Sequence, residues 1–210
     1  MKIFAFTDGG CSNNGKQNAF ASFASVIVDG KSKKIIRGKV LPLEFFLENN
    51  KIKNNDKQIQ PSNNRGELLG IIHCLNYLVE KIKYYFVQNV SDQSNNHTIT
   101  INDKIEVDII TDSLISIKTF NLWLPARRKK NTAHELKNFD LISIAETLLN
   151  QCREKYTVNF IHVNSHQKKP DSDKNDTEYD KKYFFWKGNQ LADEHCFIAL
   201  KNENYDVEIV

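Results

Sequence analysis

No apolar run in this sequence approaches the roughly 20 residues that span a bilayer, so a membrane protein is not expected. No secretory leader is expected either, since a strand-like run begins at once, without a basic region, an apolar signal core or a cleavage site. An intracellular protein, cytoplasmic or nuclear and not secreted, is expected. Cysteine is sparse, and Cys11, Cys74, Cys152 and Cys196 include no Cys-x-x-Cys pair. This argues against a zinc ribbon and against a disulfide framework, leaving reduced thiols. Net charge is small at +3, which says little about a partner; a local basic cluster would say more. With 210 residues, 40% of them hydrophobic, the chain can bury a core, and one monomeric domain over residues 1–210 is the expectation.

The pattern along the chain reads as strands first and alternation later. Lys2 to Thr7, Ala19 to Val28 and Lys34 to Val40 read as consecutive strands, with Asp29-Gly30 as a tight turn between the last two. Leu68, Leu69, Ile72, Leu75, Leu78, Val79 and Ile82 recur at helical spacing, predicting a helix from Ser62 to about Ile82. A short strand at Glu106 to Thr111 and helices at Ser113 to Leu122 and Leu136 to Arg153 follow; a last strand at Thr157 to Val163 and a last helix at Gly188 to Leu200 close the pattern. Three hairpin strands followed by alternation predict an α/β fold: a mixed sheet, its first three strands antiparallel, with helices on both faces. Residues 42–61, 88–104 and 168–187 are rich in Asn, Lys, Asp or Ser and read as exposed loop insertions. The aromatic run Tyr183 to Trp186 is expected to pack against the sheet or the last helix.

Four acids stand where such a fold places strand ends and helix starts. Asp8 ends the apolar run of "IFAFTDGG", although Asp-Gly is also a common turn signal. Glu67 follows Asn64 in "SNNRGELLG" at capping-box spacing. Asp112, in "DIITDSL", sits where an N-cap aspartate is ordinary. Asp193 falls about one turn inside a helix for which Asn189 is a good cap, between apolar Leu191, Ala192 and Phe197. Four separate structural explanations are needed for these residues, whereas a single edge of an α/β sheet, where ligands bind, accounts for all of them. Four clustered carboxylates repel one another without cations, and hard oxygen donors of this kind hold Mg²⁺.

Taken together, "FTDGGC", "NNRGEL", "ITDS", "VNSH" and "GNQLAD" resemble the type 1 ribonuclease H family, in that family's order from Asp8 to Asp193. The resemblance implies a five-stranded mixed sheet and hydrolysis of the RNA strand of RNA/DNA hybrids with divalent metal. It implies that Asp8, Glu67, Asp112 and Asp193 are metal-binding acids and that His166 is a mobile histidine beside them. Two Mg²⁺ ions are expected, with Mn²⁺ as a substitute, since an in-line phosphodiester displacement is stabilised at both ends by metals about 3.5–4 Å apart. Asp8 would bridge the ions, Asp193 would serve the one that activates water, and Glu67 and Asp112 the one near the leaving group. Glu67 would also accept from a ribose 2′-OH, and His166 would shuttle a proton or help release product.

The polar groups that resemble the family's hybrid contacts are Cys11, Asn14, Asn63, Asn64 and Asn189. Trp123 with Arg127, Arg128, Lys129 and Lys130 resembles its basic protrusion, which binds phosphates without reading bases. Two departures stand out. Leu114 occupies a position that is usually polar, and the gap from His166 to Asn189 is much longer than usual. No separate hybrid-binding module is expected before the first strand. An inactive hybrid-binding domain and a DNA-cleaving nuclease of the same fold are the alternatives. Retention of all four acids argues against the first, and the Asn-Asn-Arg-Gly-Glu helix start against the second.

Overall fold

The computed structural model describes residues 2–31, 60–80, 105–171 and 178–201, and the backbone of 35–42. The elements are β1 (Lys2–Ser12), β2 (Phe20–Asp29), β3 (Ile35–Pro42), α1 (Asn63–Glu80), β4 (Ile105–Thr111), α2 (Leu114–Lys118), α3 (Leu124–Lys129), α4 (Phe139–Lys155), β5 (Tyr156–His162) and α5 (Tyr179–Lys201). A π-helical turn, Thr119–Trp123, joins α2 to α3, and a 3₁₀ turn, Ala133–Glu135, precedes α4. The strands lie in the order β3-β2-β1-β4-β5. β2 runs antiparallel to both β1 and β3, while β4 is parallel to β1 and to β5.

Alternation in β1 explains how this mixed sheet is covered on both faces. Ile3 and Ala5 join a core with Leu69, Ile72 and Leu75 of α1 and with Leu141, Ala145 and Leu149 of α4. Phe4 and Phe6, pointing the other way, join Val26, Val28, Ile110 and Ala192 of α5. Each face is therefore dry, and β1 is flanked by a strand on each side. A charge on such a strand is tolerable only near its end.

Close backbone approach seats α1. A Cβ on Gly9 would meet the Glu67 backbone N at 2.0 Å, and one on Gly66 would meet Ser22 O at 2.5 Å. Four residues on, a Cβ on Gly70 would meet Ala24 O at 3.0 Å and Asp8 O at 3.1 Å. Gly66 and Gly70 thus form one flat helical face lying directly on β1 and β2.

Two expectations need correction. The last helix begins at Tyr179 rather than Gly188, so residues 179–187 are helical and not part of a loop insertion. Tertiary packing is the reason: Phe184 lies edge-on to Phe4 and Phe6, with ring centroids 4.9 and 5.6 Å apart, and Phe185 does so at 5.8 and 6.2 Å. Burying these rings holds the preceding turns helical despite their hydrophilic composition. Asn189 consequently lies in mid-helix and is buried, so it is not a cap. The expected insertion 88–104, the expected end of the first helix at Ile82 and most of 42–61 lie outside the described residues.

Replacing Gly9 by Ala should lower stability by about 3 kcal/mol or more, or prevent folding, because two backbones would have to separate. Thermal denaturation of Gly9→Ala against wild type checks this; an unchanged midpoint would mean that the approach is not obligatory.

Candidate active site

Strand register brings the first two acids together. The last registered pair between β1 and β4 is Phe6 with Ile110, so two residues further Asp8 stands opposite Asp112, across one strand spacing. Glu67 comes from the first turns of α1, carried beside Asp8 in β1 by the Gly9 contact. Carboxylate oxygens of Asp8, Glu67 and Asp112 lie within 4.8 Å of one another.

None of the three is used as a cap. Ser62 caps α1, its Oγ accepting from Arg65 N at 3.4 Å, and Ser113 caps α2, its Oγ accepting from Ser116 N. Glu67 instead accepts from the Thr111 hydroxyl at 3.4 Å. The capping explanations open to Glu67 and Asp112 in the sequence are thus removed.

Asp193 reaches the cluster from α5. Asn189, Ala192, Cys196 and Ala199 form the buried stripe of that helix, and a Cβ on Gly188 would strike the Phe6 ring at 2.3 Å. This close seat leaves Asp193 beside Ala192 at the edge of the interface, near enough to raise the proton affinity of both Asp8 and Asp112. His166, 79% exposed and with φ of 49°, places Nδ1 3.6 Å from Asp193 Oδ2. Despite the long gap that follows it, His166 stands at the acidic cluster.

The electrostatics follow from burial and crowding. Burial, with Asp112 and Asp193 nearby, pushes Asp8 up to about 7; its own Gly9 N–H and His166 oppose the shift. Burial, then the charges of Asp8 and Asp112, pushes Glu67 well above the usual carboxylate range. Asp112 is raised for the same first reason, with Asp193 adding to it and His166 and His162 opposing. A cluster of hard oxygen donors that resists ionising is suited to a divalent cation such as Mg²⁺ or Mn²⁺, whose charge would offset both burial and repulsion.

The other expected contacts divide. Cys11 is partly buried, with Sγ donating to Ser12 O, and Asn14 is exposed in the β1–β2 turn. Asn63 is exposed and Asn64 half-buried on the first turn of α1, ahead of Glu67. Trp123 is exposed. Of the four cations, Arg127 pairs with Glu135 at 2.6 Å, and Arg128 pairs with Glu146 while lying over the Phe139 ring. Lys129 and Lys130 are exposed and carry no ion pair among the described residues.

Sequence reasoning missed three supporting residues. Thr111 and His162 are registered partners at the ends of β4 and β5. Strand alternation beyond Val107 and Ile109 was the available signal for Thr111. Arg65 is buried, and its guanidinium donates to both Asp140 carboxylate oxygens, at 3.0 and 2.6 Å, and to Asn138 Oδ1 at 3.4 Å. It clamps the start of α1, and hence Glu67, to the start of α4.

A family model for RNase H matches residues 1–196. The chain belongs to the ribonuclease H family. A search of curated proteins finds no match. Among solved structures, LC9-RNase H1, described as a type 1 RNase H with the type 2 active-site motif, is 14% identical over 99% of this chain and 77% of its own, with a TM-score of 0.58. The RNase H domain of PFV is 16% identical over 95% and 94%, with a TM-score of 0.55. A foamy viral protease-reverse transcriptase in complex with an RNA/DNA hybrid is 13% identical, with a TM-score of 0.52; this chain covers 20% of it and 94% of its own length matches. These likenesses establish the fold.

The raised acids make the metal-free fold sensitive to pH. The unfolded Asp8 ionises near 3.8 and the folded one near 7, so this stability is fully present below the first value and lost as pH rises through the second. Across that interval the one carboxyl costs the metal-free fold on the order of 4 kcal/mol. The melting temperature without metal should fall from pH 5 to pH 8, and Mg²⁺ should restore more of it at pH 8. Asp8→Asn should flatten both dependences; a wild-type melting temperature indifferent to Mg²⁺ would contradict a metal site.

Proposed function

We propose that this chain is an endonuclease that hydrolyses the RNA strand of RNA/DNA hybrids. The observation that carries this reading is the clustering of Asp8, Glu67 and Asp112 at one end of the sheet, with Asp193 beside them, in a member of the ribonuclease H family. The hybrid held by the foamy viral relative supports the substrate class. Asp8, Glu67, Asp112 and Asp193 would hold two divalent ions, which supply charge stabilisation at the attacking water and at the leaving 3′ oxygen.

The chain's own groups do the rest. Asp8, on the central strand of the sheet with Asp112 and Asp193 nearby, would lend its carboxylate to holding the metal. Glu67, fixed by Thr111, has its second role in accepting from the ribose 2′-OH, the group that distinguishes RNA from DNA. His166 is exposed on a loop and faces Asp193, a position from which a neutral imidazole takes a proton or a cationic one escorts the product phosphate away. Asn63 and Asn64, on the turn before Glu67, and Cys11 and Asn14, just past Asp8, line the approach for the sugar edges. Trp123, Lys129 and Lys130 contact the phosphate backbone, and Arg127 and Arg128 do so on exchanging their carboxylate partners for phosphate. Residues 1–210 act as one catalytic domain.

Cleavage of RNA/DNA, RNA/RNA and DNA/DNA duplexes, with and without Mg²⁺, tests the reading. Only the RNA strand of the hybrid should be cut, and only with metal; Asp8→Asn should lower the rate by at least about a thousandfold, as losing a dominant transition-state interaction does. Hybrid binding without cleavage would make the chain an inactive binder, and DNA cleavage would make it a different nuclease. Replacing Lys129 and Lys130 together by Ala should weaken hybrid binding alike at every sequence and reduce the salt slope by about two. An unchanged slope would return both lysines to the solvent.

A further inference from the structure

We propose that the pocket between the loop after β5 and the first half of α5 is a subsite for one unpaired nucleotide of the RNA strand, next to the acidic cluster. The inference rests on the hybrid-nuclease reading for the strand it names. The pocket encloses about 810 Å³ and is lined by His162, His166, Lys168, Lys181, Trp186 and Asn189, ending at Asp193. That volume is in the range of small-molecule sites and is ample for a nucleotide.

Its lining is divided by chemistry. Lys168, Lys181 and Lys182 face Glu178 and Asp193, an excess of one positive charge before either histidine is protonated. Lys168 and Lys181 are exposed and carry no ion pair among the described residues, so both are free for a phosphate. Asp193 repels an anion, which places the phosphate at the lysine end. Trp186 is held as a wall: its indole N–H donates to Gln167 O at 2.9 Å, and Tyr183 lies behind it at 5.5 Å between centroids. A fixed indole stacks any base, worth about 1–3 kcal/mol, while the Asn164 and Asn189 side chains offer amide groups to a base edge. A base is open to stacking and edge contacts of this kind only when it has left its duplex.

Tryptophan fluorescence reads the site directly. The chain has two tryptophans, so Trp123→Phe leaves Trp186 as sole reporter. Adenosine 5′-monophosphate should quench it, with adenosine and inorganic phosphate each at least tenfold weaker. Lys181→Glu should weaken the nucleotide at least fivefold at an unchanged melting temperature, and Lys181→Arg should restore it. A hybrid carrying an unpaired ribonucleotide tail should bind more tightly than a fully paired one, and Lys181→Glu should abolish the difference. Absence of quenching, phosphate binding as well as the nucleotide, or indifference to Lys181→Glu would overturn the subsite even if hybrids are cleaved. Nucleotide binding by a chain that cuts no hybrid would overturn the nuclease reading and leave the pocket a nucleotide site.

Discussion

The closeness of α1 to β1 and β2 governs the rest of the structure. Gly9 on the strand and Gly66 and Gly70 on the helix leave no side chain between the two backbones at these points, so the helix start is set against the Asp8–Gly9 stretch of β1. A helix separated by ordinary side chains would stand roughly 10 Å from the sheet, and Glu67 would be carried away from Asp8. The acid cluster is thus a consequence of three missing side chains as much as of three carboxylates.

That approach works against electrostatics. Asp8, Glu67 and Asp112 crowd a part-buried sheet end beside Asp193, where burial and repulsion both disfavour the charged forms of these three. What holds them is packing from opposite sides. On one face, Arg65 fastens the α1 start to α4 through Asp140; on the other, Phe184 and Phe185 lock α5 onto Phe4 and Phe6. The positions of the acids are set by apolar and glycine contacts that have no direct part in the chemistry, which is how a fold keeps like charges together.

Much of this was legible in the residues. Most strands and helices of the first 163 residues come from plain periodicity, although β1 runs on through Asp8 to Ser12 and α3, Leu124–Lys129, had no such signal. Glu67 and Asp112 could be read from their places near element ends, because strand ends and helix starts converge in such sheets; Asp8 lies inside β1 and Asp193 inside the last helix. The final helix was misjudged because its first turns, from Tyr179 to Lys187, are hydrophilic except for the aromatic run. Their helical state comes from Phe4 and Phe6, nearly 180 residues earlier, a contact no local pattern contains. Asn189 was misplaced for the same reason. Arg65 escaped notice because a clamp exists only once Asp140, 75 positions on, is beside it. The basic segment was visible as a charge run, yet only three dimensions reveal that Glu135 and Glu146 occupy two of its four cations.

The order of the acids along the chain also bears on synthesis. Asp8, Glu67 and Asp112 emerge from the ribosome first, while α5, which closes the second face of the sheet, comes later and brings Asp193 81 residues after Asp112. Until then Phe4, Phe6 and Val26 are uncovered, and a chain with this exposed apolar face is prone to aggregation and open to chaperones. The fourth acid and the cover for that face arrive on the same helix. A chain cut short before α5 therefore lacks both at once, so the acidic cluster is completed only in a molecule whose sheet is already sealed.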